Sequence, residues 1–101
     1  MDQIDLNLDE ELHGAFVIED GKKQLAEMEF AISGDNLVVY HTEVPEAYSG
    51  RGFAKKLLSQ MVDYARKNKY KVIALCSYVS TEFKRNPGEY DDVWNKEWKG
   101  Q

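Results

Sequence analysis

The residues best suited to chemistry are the loop Ser49-Gly50-Arg51-Gly52-Phe53-Ala54, the helix-forming run that begins at Lys55, and four side chains flanking them: His41, Glu43, Cys76 and Tyr78. A glycine turn that opens into a helix grips phosphate. The first helical turn leaves backbone N–H groups without intrahelical partners, and the helix dipole places about half a positive charge at that end. Gly50 and Gly52 carry no Cβ, so an anion can reach the main chain. Arg51, Lys55 and Lys56 bring mobile positive charge to the same place.

Each flanking side chain has a plain structural reading beside its chemical one. Imidazole titrates near neutrality, so a histidine suits a general base; on a sheet it is as often a hydrogen-bonded structural residue, and His41 is read both ways. Glu43 is either a base working through water or an ordinary surface carboxylate. Cys76 is the single cysteine. It is a nucleophile only if its thiol pKa is depressed, and otherwise packs as a small hydrophobe. Tyr78 either protonates a departing group or packs. His13, at a strand start, is given no role.

The elements that position these residues come from a chain of 101 residues, expected to be one domain, 1–101. Hydrophobic content of 43% and charged content of 31% fit an ordinary globular chain. No apolar run approaches the roughly 18 residues that span a bilayer. The start, Met1-Asp2-Gln3-Ile4-Asp5, lacks the basic and apolar regions of a secretory signal. One cysteine cannot form an internal disulfide, so a cytoplasmic setting without a membrane is expected. A net charge of −5 argues against nucleic acid as partner. The charge is uneven, however: Arg51 to Lys71 holds seven basic residues and one acid, Asp63.

Ile4, Leu6 and Leu8 alternate with polar residues as a short strand. Asp9-Glu10-Glu11 makes a turn, His13 to Glu19 a second strand, and Asp20-Gly21 a hairpin. Gln24 to Ile32 gives a third strand with a bulge near Ala26-Glu27. After the turn Ser33-Gly34-Asp35-Asn36, Leu37 to Val44 is the fourth, ended by Pro45. Such short turns imply an antiparallel meander. Ala54, Leu57, Leu58, Met61, Val62 and Ala65 form one helical stripe that must lie on the sheet. Asn68 is the expected left-handed stop. Tyr70 to Cys76 then runs parallel to strand 37–44. Ser77 or Ser80 is expected to cap a short helix through Arg85, broken at Asn86-Pro87-Gly88. Tyr90, Trp94 and Trp98, spaced by four, suggest a last helix docked on one side.

Two familiar phosphate loops fail here. Neither glycine leads into G-x-x-x-x-G-K-[ST], and a G-x-G-x-x-G fingerprint would put its third glycine at Lys55. The R/Q-x-x-G-x-G/A loop of acetyl-CoA-dependent acyltransferases is met by Ser49-x-x-Gly52-x-Ala54 at every position but the first. With Glu43-Val44-Pro45, Cys76-Ser77-Tyr78-Val79 and Arg85-Asn86-Pro87 before Glu89-Tyr90, the ordered set resembles the small stand-alone members of the GNAT superfamily of N-acetyltransferases, over about His13 to Val93.

That resemblance implies an α/β (α+β) fold: a four-stranded antiparallel meander, a crossover helix, a parallel fifth strand and short C-terminal helices. It implies acetyl-CoA as cosubstrate, with its pantetheine between the splayed strands 37–44 and 70–76, and no metal. Val44, Arg51, Gly52, Phe53, Ala54, Lys55 and Lys56 would hold the cofactor. His41, Cys76, Glu43 and Tyr78 would line the reaction centre, where the acetyl group passes to a primary amine by direct attack or through an acetyl-cysteine. Ser49 departs from the family's Arg or Gln, and Arg51 is the nearest substitute. The rival reading is a non-catalytic CoA-binding or protein-interaction module on the same scaffold. A protein N-terminus, a lysine, a polyamine and a small metabolite all remain open as acceptor. A monomer or weak dimer is expected.

Overall fold

Alternating apolar residues build the sheet. In a computed structural model that describes residues 3–97, β1 (Gln3–Leu8), β2 (His13–Asp20), β3 (Lys23–Ser33) and β4 (Asn36–Glu43) pair antiparallel in chain order. β5 (Lys71–Ala74) joins β4 in parallel at the far edge. Phe16, Ile18, Met28, Phe30, Leu37, Val39 and Val72 share the face that α1 (Phe53–Asn68) covers. The stripe Leu57, Leu58, Met61, Val62 and Ala65 is buried on it as its spacing requires. Burying each of the three longest of these side chains stabilises by about 1.5–3 kcal/mol.

The ends and irregularities differ from expectation in ways that the backbone explains. Lys69, not Asn68, takes the left-handed conformation (φ 62°). Asn68 stays helical, its side-chain amide donating to the Tyr64 carbonyl, while the Lys69 N–H closes the helix on Ala65 and Arg66. The β3 bulge falls at Leu25, which has no partner between the pairs Ile18↔Ala26 and Glu19↔Gln24. A second bulge lies in β4: Tyr40 is unpaired between Phe30↔Val39 and Glu29↔His41. β5 ends at Ala74, short of Cys76, because the Leu75 and Cys76 N–H groups both converge on the Val39 carbonyl. Cys76 itself precedes α2 (Ser77–Arg85), and no side chain caps that helix, so neither serine has the expected role.

α3 (Pro87–Tyr90) is one turn, started by proline, and hydrogen-bonded turns follow it as far as Val93. Trp94 bridges Val72 in parallel, with Val72 N–H donating to Val93 O (2.7 Å) and Asn95 N–H to Val72 O (2.8 Å). The expected last helix therefore goes no further than turns, and only the stretch at Trp94 lies along the outer edge of β5, which would otherwise present unpaired groups. Tyr90 and Trp94 do dock, against the Phe83 ring at 4.7 and 5.6 Å. Trp98 lies outside the described residues.

Arg66 ties this tail to α1, donating to both Asp92 carboxylate oxygens (2.9 and 3.0 Å) and to the Glu89 carbonyl. The guanidinium hydrogen bond holds the Asp92 carboxyl below its ordinary value. A depressed carboxyl stabilises above its unfolded pKa of about 3.9 and loses that contribution as pH falls through the lower folded value. Asp92→Asn is thus expected to lower stability at neutral pH by about 1 kcal/mol or less, both partners being exposed, and to flatten the loss below pH ~4. Denaturant unfolding across pH checks this.

Gly14 is dictated by close approach. A Cβ there would strike the backbone carbonyl of Asn7 on β1 and the Phe30 ring. Since a backbone atom cannot swing aside, Gly14→Ala should cost about 2 kcal/mol, within the range for overpacking. A lowered thermal midpoint with unchanged secondary structure is the expected readout.

Candidate active site

Pro45 ends β4 and a single 3-10 turn, Glu46–Tyr48, carries the chain to the glycine loop. Ser49, at the loop's first position, turns back on this turn: its N–H and hydroxyl both donate to the Glu46 carbonyl. Gly50 (φ 82°) and Gly52 (φ 79°) then adopt left-handed backbone that other residues take only with strain. A Cβ at either would point into open space, so the room in front of the loop is free. The first bond along α1 is Lys56 N–H to Gly52 O, which leaves the Phe53, Ala54 and Lys55 N–H groups as the helix's unpartnered donors.

These donors face a cavity of about 320 Å³. Of the seven residues expected at the cofactor, Val44, Gly52, Phe53, Ala54 and Lys55 line it, joined by Tyr48 and Tyr78. Phe53 is only 2% exposed, so its ring serves the core and its N–H alone remains for an anion. Arg51 and Lys56 do not line the cavity: the Arg51 guanidinium lies over the Tyr48 ring and the Lys56 ammonium over the Phe53 ring, each at 5.5 Å. Lys55 pairs with Glu82 of α2 at 3.6 Å, setting a carboxylate close to the loop. An elongated molecule with an anionic group fits here: the anion on the helix N-terminus, the rest along the largely apolar wall of Val44, Tyr48 and Tyr78.

Past the pair Val39↔Ala74, β5 turns away while β4 continues through Tyr40 to Glu43, so the two strands part. On the α1 side of this opening Cys76 is 5% exposed, and its thiol lies 3.2 Å from the Thr42 hydroxyl. Thr42 pairs with buried Met28, which places it on the core face. Tyr78 follows in the first turn of α2. Burial first, and then the charge of Glu82, pushes its hydroxyl pKa up. It therefore stays protonated at neutral pH and able to donate.

His41 and Glu43 lie on the other face of the sheet. They stand opposite Glu29 and Glu27 in register, and all four are on the side away from α1. The structure thus puts Cys76 and Tyr78 on the α1 side of β4 and His41 and Glu43 on its other face. Thr42 has no distinguishing mark in the sequence. Its place beside Cys76 depends on the β4 bulge and the parallel register of β5, both long-range features. Among the described residues no cluster of His, Cys, Asp or Glu gathers to hold a metal ion, and no helix is long and apolar enough to cross a membrane.

Comparison with known proteins agrees with this geometry. A family model described as GCN5-related N-acetyl-transferase matches residues 15–93. The NMR solution structure of a GCN5-like protein from Staphylococcus aureus superposes with a TM-score of 0.64 at 30% identity, covering 89% of this chain and 86% of that one. Protein NATD1 of Gallus gallus and of Mus musculus is 43% identical over 47 residues, 46% of this chain. The match spans 43% of either relative's own length.

Proposed function

We propose, for a chain that belongs to the GCN5-related N-acetyltransferase family, that it transfers an acetyl group from acetyl-CoA to a primary amine. The observation that carries this reading is the cavity at the glycine loop, which Val44, just past the end of β4, and Tyr78 of α2 also line. The helix N-terminus would take the pyrophosphate, and the unpaired stretch of β4 would guide the pantetheine arm to Thr42 and Cys76. Arg51 and Lys56, on the rim, would meet the remaining phosphate charge by leaving their aromatic rests.

The acceptor must lose protons to react. An alkylamine has a pKa of about 10.4 and arrives as the ammonium. His41, on the face open to solvent, takes one proton, with Glu43 as the second carboxylate-bearing route through water. The freed nitrogen lone pair forms the N–C bond, and backbone N–H groups at the β4 opening receive the negative charge that moves onto the carbonyl oxygen. Collapse breaks the C–S bond, sulfur leaving with the electron pair. Tyr78, a protonated donor beside the cavity, stabilises the departing thiolate. Nitrogen gives up two protons in all: one ends on sulfur and the other goes to solvent, so ammonium and thioester become amide, thiol and one proton. Direct attack leaves Cys76 unmodified. The same reading takes residues 1–101 as one domain acting in the cytoplasm, as a monomer or weak dimer.

The test is thiol release from acetyl-CoA with a panel of primary amines, followed by intact-mass measurement of the protein. Release that rises with amine concentration, from protein carrying no acetyl adduct, supports direct transfer. An adduct on Cys76 that amine discharges would replace direct attack with the covalent route. Acetyl-CoA binding with no amine-dependent release across the panel would contradict the enzyme and leave the binding module.

A further inference from the structure

We propose that β1 is a self-pairing edge: two copies of this chain join antiparallel along it, Leu6 facing Leu6, and their sheets become one. The inference stands apart from the acetyl-transfer reading above and does not depend on it.

The two edges of the sheet differ. At β5 the stretch at Trp94 pairs with Val72 on the outer side, whereas among the described residues nothing pairs with the outer side of β1. Which groups point outward there follows from the hairpin. The Asp9 N–H donates to the His13 carbonyl, so Asn7↔Ala15 and Asp5↔Val17, each two residues further on, also bond inward to β2. The main-chain N–H and C=O groups of Ile4, Leu6 and Leu8 are therefore the ones aimed at the open edge. Ile4 and Leu6 stand opposite buried Ile18 and Phe16, which puts their side chains on the α1 face. Leu6 and Leu8 remain 41% and 43% exposed, and with His13 and Gly14 they line an open groove of about 650 Å³. An edge with outward donors and exposed leucines is a template for another strand.

The strand's own residue order names that strand. A two-fold axis relating antiparallel strands in one sheet keeps each residue opposite one on its own face, so the axis passes through a residue. Centring on Asp5 sets its carboxylate directly against its symmetry mate, and centring on Asn7 sets Asp5 against Asp9. Like charges directly opposite destabilise both. Centring on Leu6 avoids them: Ile4 meets Leu8, Leu6 meets Leu6, and Asp5 meets Asn7, whose side-chain amide donates to a carboxylate. The same register joins the outward-facing residues to one another, each pair exchanging two main-chain hydrogen bonds. The contact is small, under roughly 1,200 Å², the class of weak and transient pairs. Both glycine-loop cavities stay clear, because β1 is the edge remote from β4 and β5.

The experiment is sedimentation equilibrium of the full chain up to about 1 mM, where an interface of this size associates, together with disulfide trapping. A reversible monomer–dimer equilibrium is expected. Asn7→Asp sets carboxylates directly opposite at two symmetric places and should weaken the dimer about tenfold. Asp5→Asn relieves the diagonal approach of the two Asp5 carboxylates and should tighten it about threefold. Gln60→Glu, exposed on α1, makes the same charge change as Asn7→Asp and should leave the equilibrium unaltered. Facing residues lie about 5.5 Å apart at Cα, within disulfide reach, so Leu6→Cys should trap a covalent dimer on mild oxidation and Asp5→Cys should not. Native Cys76 is buried and does not compete. Circular dichroism reports whether each variant is folded. A chain that stays monomeric throughout would overturn the proposal and leave the edge to a strand of another protein. A dimer that Asn7→Asp and Gln60→Glu change equally, or that Asp5→Cys traps as readily as Leu6→Cys, would overturn it as well.

Discussion

Replacing Gly52 with valine is expected to weaken acetyl-CoA binding by about 100-fold or more while the protein still folds. Two effects act together. At φ 79° a β-branched residue is strained, at a cost of about 1–2 kcal/mol, so the loop relaxes away from its left-handed turn. Relaxation turns the first N–H groups of α1 off their common focus. Losing two hydrogen bonds to a charged phosphate, each worth about 1.5–3 kcal/mol, removes at least 3 kcal/mol of binding, which is the factor of 100. Nothing lies within 4 Å of a Cβ at this position, so the core is untouched and the thermal midpoint should fall only modestly. Calorimetric titration beside a melting curve separates lost binding from lost fold.

His41→Ala should lower kcat by about 100-fold to 10,000-fold, the usual contribution of a positioned general base, with the acetyl-CoA Kd unchanged. The second half of that expectation follows from the faces of β4. His41 pairs with exposed Glu29 on the side away from α1, whereas the cofactor cavity is on the α1 side. Cys76→Ala supplies the contrast, since under direct transfer it retains most of the activity. The reverse pattern, an inactive Cys76→Ala and an active His41→Ala, would move the chemistry to the Thr42–Cys76 side of the strand. Steady-state kinetics on the two variants decides between them.

The strands and the helix could be read from residue order because their signals are local. Alternation in β1 to β4, the i, i+3, i+4 stripe on α1 and the glycine turn each depend on a few neighbouring residues. Matching the loop Ser49 to Ala54 against known phosphate loops likewise needed only its own spacing. What could not be read depends on partners distant in the chain. The spacing of Tyr90 and Trp94 fits the turn that joins them, Trp94 N–H donating to Tyr90 O, yet the bridge from Trp94 to Val72 at the edge of β5 stops it from going on as a helix. The bulge at Tyr40 arises from the register against β3 and leaves no mark on the run from Leu37 to Val44. That bulge and the early end of β5 determine which face each candidate occupies. Hence His41 and Cys76, both expected at one reaction centre, lie on opposite sides of one strand. The basic residues show the same limit: Arg51, Lys55 and Lys56 cluster in sequence, but each is held by its own neighbour, a ring or a carboxylate.

The central claim is that the loop before α1 is an acetyl-CoA site, and calorimetric titration with acetyl-CoA, beside CoA and ATP, tests it most directly. Saturable one-to-one binding of acetyl-CoA and CoA, with ATP much weaker, is the predicted result. At ligand about 100 times Kd, it should come with roughly 2.7 kcal/mol of added stability. No heat and no thermal stabilisation at millimolar acetyl-CoA would contradict the account.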